Sequence, residues 1–286
     1  MSAVPARAAL TEASRLAAVY DAILEARFDR VDPLIKQSCP PAPVEACAAL
    51  DAVALWWQIQ LTPESHVLDS SFADRAAAAI AANDAWTKRE PTRGEAWFYL
   101  AGSYGPLVQW RVLRGERLAA AREGKKIKDA LERALRLDPA LDDAYFGIGL
   151  YHYYADVAPA AAKILRFLLF LPGGDRVNGL REMLQARQHG ALLKGEADYQ
   201  LHIIYLWYEH DTARALELLQ GLDARYPTNP LFMRRIAEVQ DQYRHDREAS
   251  ASAWRILIER ARDGRVYNAA QTEARARAAL TRLGVS

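Results

Sequence analysis

The chain has 286 residues, with 37 Lys plus Arg against 36 Asp plus Glu and no block of either sign. It is long enough to bury a sizeable core in one or two domains, and it lacks the clustered basic excess of a nucleic-acid binder. Its nearest basic cluster, Lys125, Lys126 and Lys128, has Glu116, Glu123, Asp129 and Glu132 close by in sequence and reads as a solvated helix face.

Alanine, leucine and arginine dominate while β-branched residues are sparse, and no useful strand alternation appears, so the chain reads as all-α. No uninterrupted apolar stretch reaches the ~18–20 residues of a membrane-spanning helix. The start, MSAVPARAAL, has no hydrophobic signal core, although its VPARA resembles the small-residue tail of a cleaved secretory signal. An exported, periplasmic protein is therefore expected if a signal was removed upstream, and a cytoplasmic one otherwise.

In chain order, a first helix is expected over Leu10 to Gln37, ending before CPPAPVEAC. Cys39 and Cys47 in that stretch are spaced to clip one helix end to the next in an oxidising compartment, or to remain as two buried thiols. No second cysteine pair or nearby histidine cluster supports zinc. A helix pair follows at Val44 to Gln60 and Phe72 to Arg89, then two long pairs over about 94 to 137 and 142 to 189. Two compact pairs, 196 to 225 and 229 to 262, precede a last Ala/Arg-rich helix, NAAQTEARARAALTRLG, suited to a polar cap.

Three of these junctions share a text. Pro91, Pro139 and Pro227 each stand six residues before Trp97, Tyr145 and Met233, and each follows a helix end and precedes a polar helix start. The set Trp97, Leu100, Ala101, Tyr104 recurs as Tyr145, Ile148, Gly149, His152. The chain here resembles the tetratricopeptide repeat (TPR) family, whose pattern is W-x2-L-G-x2-Y, then A-x3-F, A and P. Its best unit runs from Tyr199 through Ala215, Leu219 and Leu222 to Pro227, which fits the family's period of about 34 residues. GIGLYHYYADVAP and LPGGDR look like a group of bacterial TPR proteins with elongated helices and no assigned activity. The resemblance implies a right-handed superhelix, an α-solenoid of helix pairs with elongated central members. Residues 1–43 would be an N-terminal helix and proline-rich connection, 44–262 the repeat domain, and 263–286 a capping helix.

In such an array the first helix of each pair lines the concave side. The resemblance therefore implies a partner-binding groove of Phe98, Asp143, Phe146, Tyr153, Tyr154, Gln200, Trp207 and Tyr208, an aromatic surface with few charges. The alternative for these rings is packing between helices. The implied function is a non-enzymatic scaffold for a peptide or protein partner, with no cofactor.

Other chemistry has thinner support. His152 and Asp156 share a helix face, and His202 sits at an inward position of the next pair, a set that would suit zinc or iron(II) in a small-ligand or metal-binding protein. No His-x-x-x-His or Glu-x-x-His pair accompanies them, and His152 takes the family's aromatic packing position, so no metal is expected. Gly-x-Ser-x-Gly is missing, and Asp142 with Asp143 fits helix capping. The stretch KILRFLLFLPGGDRVNGLREML, residues 163–184, is too short and charged to span a bilayer and lacks phosphate-loop spacing. It reads as a joint: Pro172 stops one helix, two glycines turn the chain, and Asp175 caps a helix over Arg176 to Gln188. The apolar run 157–171 within and before it suits internal packing, a protein partner, or peripheral membrane contact as an adaptor.

Overall fold

The computed structural model describes residues 10–157 and 173–284. Among these the fold is all-α: thirteen helices and no strand. They are α1 Ala13–Leu24, α2 Phe28–Ser38, α3 Val44–Leu61, α4 Asp69–Arg89, α5 Gly94–Leu113, α6 Arg117–Leu137, α7 Ala144–Val157, α8 Arg176–His189, α9 Lys194–Trp207, α10 Thr212–Arg225, α11 Pro230–Gln242, α12 Arg247–Arg262 and α13 Ala269–Leu283. The run 157–171 falls almost wholly outside the described residues, as do Pro172 and most of MSAVPARAAL. The chain divides into two compact units. One takes the residues up to Tyr20 with Arg30–Ala197, and the other takes Asp21–Asp29 with the chain from Asp198 onward.

In the first unit each helix from α3 to α7 packs on the next in the chain. Helix α3 is nearly free of charge and is buried on most of its circumference, lying against both α4 and α5. Phe72 of α4 sits between Trp56 (6.2 Å) and Trp110 (5.7 Å). Burying rings of this size removes enough apolar area from water to contribute about 2–3 kcal/mol each. Several polar atoms taken inside are bonded across helices. Tyr20 Oη and Trp57 Nε1 both donate to one Glu196 carboxylate oxygen, at 3.1 and 3.2 Å. Asn83 Nδ2 ties α4 to the Glu45 carbonyl of α3 and to Ser103 Oγ of α5, each at 3.0 Å. The Cys39 and Cys47 sulfurs form a disulfide that joins the end of α2 to the start of α3.

Of the two middle pairs expected to be elongated, the first is: α5 and α6 have 20 and 21 residues, whereas α7 and α8 have 14 each, as do α9 and α10. Helices α7 and α8 cross on two glycines. A methyl on Gly149 would stand 2.7 Å from the Gly179 carbonyl, and one on Gly179 would stand 2.6 Å from the Gly149 carbonyl. Of the joint expected before α8, the cap is present, with Asp175 accepting from the Asn178 N–H at 2.9 Å. Its glycine serves close approach, however, not a turn. A methyl on Gly174 would lie 2.2 Å from the Asp156 nitrogen of α7.

In the second unit α10 packs on α11, α11 on α12, and α12 on α13. A turn recurs within it. The Ile204 carbonyl accepts from Tyr208 and Glu209, His210 has a φ of 54°, and Asp211 caps α10 through the Arg214 N–H. The same bonds reappear 35 positions on, from 204 to 239 and from 211 to 246: the Val239 carbonyl accepts from Tyr243 and Arg244, His245 has a φ of 55°, and Asp246 caps α12 through Ala249. Ion pairs to two buried aspartates brace the hairpins. Arg260 grips Asp223 with two bonds at 2.7 and 2.8 Å, and Arg225 reaches Asp198 at 2.9 Å.

The single first helix expected over Leu10 to Gln37 is two helices, α1 and α2. The chain breaks at Ala26, which is buried with a φ of 57°, a left-handed conformation costing about 1–2 kcal/mol for an L-residue. Tertiary bonds offset that cost. The last carbonyls of α1 have no intrahelical donors. Thr228 Oγ1 donates to the Glu25 carbonyl, and Asn229 Nδ2 donates to the Leu24 carbonyl at 2.7 Å. Tyr226 Oη adds a 2.6 Å bond to Asp21.

Candidate functional site

In the first unit, four of the five expected groove residues are interior. Phe98, Asp143, Phe146 and Tyr153 are buried, and Tyr154 is half-buried. Phe98 packs edge-on to Tyr99 at 5.0 Å, and Tyr153 edge-on to Tyr154 at 5.8 Å. Asp143 has a different task from ligand binding. Its carboxylate accepts three backbone N–H groups, from Ala191 at 2.8 Å and from Leu192 and Leu193 at 3.0 and 2.8 Å. Those donors belong to the turn that opens α9, so Asp143 fixes that turn against the start of α7. Burial raises the Asp143 pKa above the usual carboxylate value, while the three N–H bonds act in the opposite direction. Gly190 makes room for it, since a methyl there would lie 2.6 Å from Asp143 Oδ1.

The residues of the metal alternative are engaged separately. His152 Nδ1 lies 2.7 Å from Glu182 Oε2, and Asn178 Nδ2 donates to the other Glu182 oxygen at 2.9 Å. Asp156 accepts from the Arg176 backbone N–H at 3.0 Å, at the first residue of α8. These bonds staple α7 to α8 around the glycine crossing. His202 belongs to the second unit. It is buried, its ring lies 4.8 Å from that of Tyr199, and burial pushes its pKa down to about 3, with the Arg235 charge acting in the same direction. Among the described residues no three His, Cys, Asp or Glu side chains converge as a set of metal ligands.

The second unit presents a surface. Gln200 is buried, but Trp207 is 51% exposed and Tyr208 is exposed beside it in sequence. The Trp207 indole N–H donates to the Tyr243 hydroxyl at 2.8 Å, which holds two exposed rings in one arrangement. Tyr243 was not among the expected residues, yet a signal for it exists. Tyr208-Glu-His-Asp and Tyr243-Arg-His-Asp are the recurring turn, so Tyr243 occupies the position of Tyr208 one repeat later. The αL histidine and the capping aspartate set where each helix ends, and thereby where these rings emerge.

The arrangement suits recognition by contact. Exposed Trp and Tyr offer a large area at low rotamer cost, and each keeps a polar handle. No family model matches the chain, and no curated protein is similar to it.

Proposed function

We propose that the chain is a non-enzymatic binding scaffold of TPR-like helix pairs that holds a peptide or protein partner. In the second unit the contact is the Trp207–Tyr243 pair, with Tyr208 next to Trp207 in sequence. The observation carrying this reading is the half-exposed Trp207 ring, fixed by its 2.8 Å bond to Tyr243 instead of being left free to fold back. A pre-positioned aromatic loses little side-chain entropy on binding. Two further features support it: the 35-residue recurrence from 204 to 239, and the structural employment of Asp143, His152 and Asp156, the side chains nearest to any catalytic or metal pattern.

The test is a peptide-display selection against the whole purified protein, with the selected peptide's affinity then measured for variants. Trp207→Ala is expected to weaken binding by at least about 30-fold, as removal of an interface anchor does. Tyr243→Phe keeps the ring and is expected to cost much less. Equal affinity of wild type and Trp207→Ala would place the contact elsewhere.

A further inference from the structure

One end of the first unit gathers exposed aliphatic side chains. Val67 in the α3–α4 loop is 85% exposed, and the turn joining α5 to α6 exposes Val112 (57%), Leu113 and Leu118 (46%). Arg114 binds the two loops into one surface. It grips Asp69 with two bonds at 2.9 and 2.7 Å and donates to the Pro63 and Ser65 carbonyls, each at 2.7 Å. The α5–α6 turn is itself held. Gly115 takes a φ of 80°, the Glu116 N–H donates to the Arg111 carbonyl at 2.8 Å, and the Arg111 guanidinium bonds both Glu116 and Glu123. These aliphatics are displayed by an ordered turn.

The charge around them is one-sided. From Arg111 to Lys128 the sequence has seven Lys and Arg against two carboxylates, Glu116 and Glu123. Both carboxylates are taken by Arg111, while Asp129 pairs with Lys125 and Glu132 with Lys128. Arg117, Arg122 and Lys126 are exposed and have no carboxylate partner among the described residues; Lys126 lies over the Tyr104 ring at 5.1 Å. Leu118, Arg122 and Lys126 are spaced i, i+4, i+8 and so share one stripe of α6. Glu64 is the exposed carboxylate on the α3–α4 loop.

The geometry points to this end as a contact for an anionic lipid bilayer: Val67, Val112, Leu113 and Leu118 enter the headgroup boundary, and Arg117, Arg122 and Lys126 meet lipid phosphates. Aliphatic side chains ringed by long cations are the chemistry of an interfacial segment. A nucleic acid would engage the cations and leave the aliphatics in water. A protein partner would favour an aromatic centre and disfavour lysine, and this surface has lysine without an exposed aromatic. This contact is independent of the peptide-binding reading and lies in the other unit.

The test is flotation of the whole protein with vesicles of phosphatidylcholine alone or mixed with phosphatidylglycerol. Co-flotation with the mixed vesicles only, weakened by salt, is expected. Arg117→Gln/Arg122→Gln/Lys126→Gln should weaken binding by about 100-fold, the effect of removing three cations near a charged surface. Leu113→Ser/Leu118→Ser should also lose binding. All five positions are exposed, so an unchanged helical signal and melting temperature should accompany both losses. Both variants leave residues 157–171 intact. Full binding by either variant, equal binding to neutral vesicles, or binding of an acidic protein without vesicles would each overturn the assignment.

Discussion

Asn229 gives the sharpest test of how the second unit is held, because one fully buried side chain does two jobs. Its Oδ1 caps α11 by accepting the Leu231 N–H at 2.9 Å, and its Nδ2 satisfies the Leu24 carbonyl at 2.7 Å. Asn229→Ala removes a helix cap, worth about 1 kcal/mol, and strands a buried carbonyl, worth about 1–3 kcal/mol, so a loss of about 2–4 kcal/mol is expected. Asn229→Ser keeps a capping oxygen and should lose mainly the second part. Asn229→Asp keeps the cap but sets a carboxylate oxygen against the Leu24 carbonyl in a dry site. It should be the least stable of the three at neutral pH. Protonation would let the introduced carboxyl donate to Leu24, so its folded-state pKa is raised and its deficit should shrink as pH falls through that pKa. Urea unfolding followed by circular dichroism measures all three through the midpoint at constant slope. If Asn229→Ala costs less than about 0.5 kcal/mol, the Leu24 carbonyl does not depend on this bond and the account of the α1–α2 break fails.

Three more outcomes follow from the geometry. His202 stays neutral in the fold with a pKa of about 3, whereas an unfolded chain protonates it near 6.5. Stability should therefore be unaffected by this group above pH 7.5 and decline from about pH 6.5 downwards, by about 2 kcal/mol at pH 5; His202→Gln should flatten that slope in urea midpoints taken across the range. Gly149→Ala and Gly179→Ala push a methyl onto facing backbone and should each cost about 2–3 kcal/mol, while Gly221→Ala, inside α10 with nothing within 4 Å, should gain about 0.5–1 kcal/mol; thermal melts of the three rank them. The Cys39–Cys47 bridge closes a short loop, so Cys39→Ser/Cys47→Ser should lose about 2–3 kcal/mol; dithiothreitol should cost the wild type the same amount and the variant nothing.

Helix positions were legible because they depend on local chemistry. Pro91, Pro139 and Pro227 cannot continue a helix, and the polar residues after them open the next one, so expected and observed limits agree closely for α3, α4, α8 and α13 and for the outer bounds of the pairs α5–α6, α9–α10 and α11–α12. Asp175 is legible for the same reason, since a cap acts on an N–H three residues away. The break at Ala26 is not local. Nothing in LEARFD opposes a helix, and the donors that stabilise the break, Thr228 and Asn229, lie about two hundred residues downstream. The capping argument put Asp142 and Asp143 at a helix start, but the family-derived register set Asp143 in the groove, and neither could foresee that the turn at 191–193 would fold onto its carboxylate and make it a fastening point of the interior.

Charge on α6 shows the limit most clearly. Counting residues makes the Lys125–Lys128 region look neutral, because acidic neighbours lie within a few positions. Neutrality of a surface depends on which carboxylate each cation reaches. Arg111, on the preceding helix, draws Glu116 and Glu123 to itself, and the helix spacing gives Asp129 and Glu132 to Lys125 and Lys128. The cations left over are Arg117 at the aliphatic turn and, one and two turns further along the α6 stripe that begins at Leu118, Arg122 and Lys126. A composition near zero net charge is thus compatible with a locally positive, apolar end. The vesicle experiment is sensitive to that end and indifferent to the total, since surface potential acts within about a Debye length, ~8–10 Å.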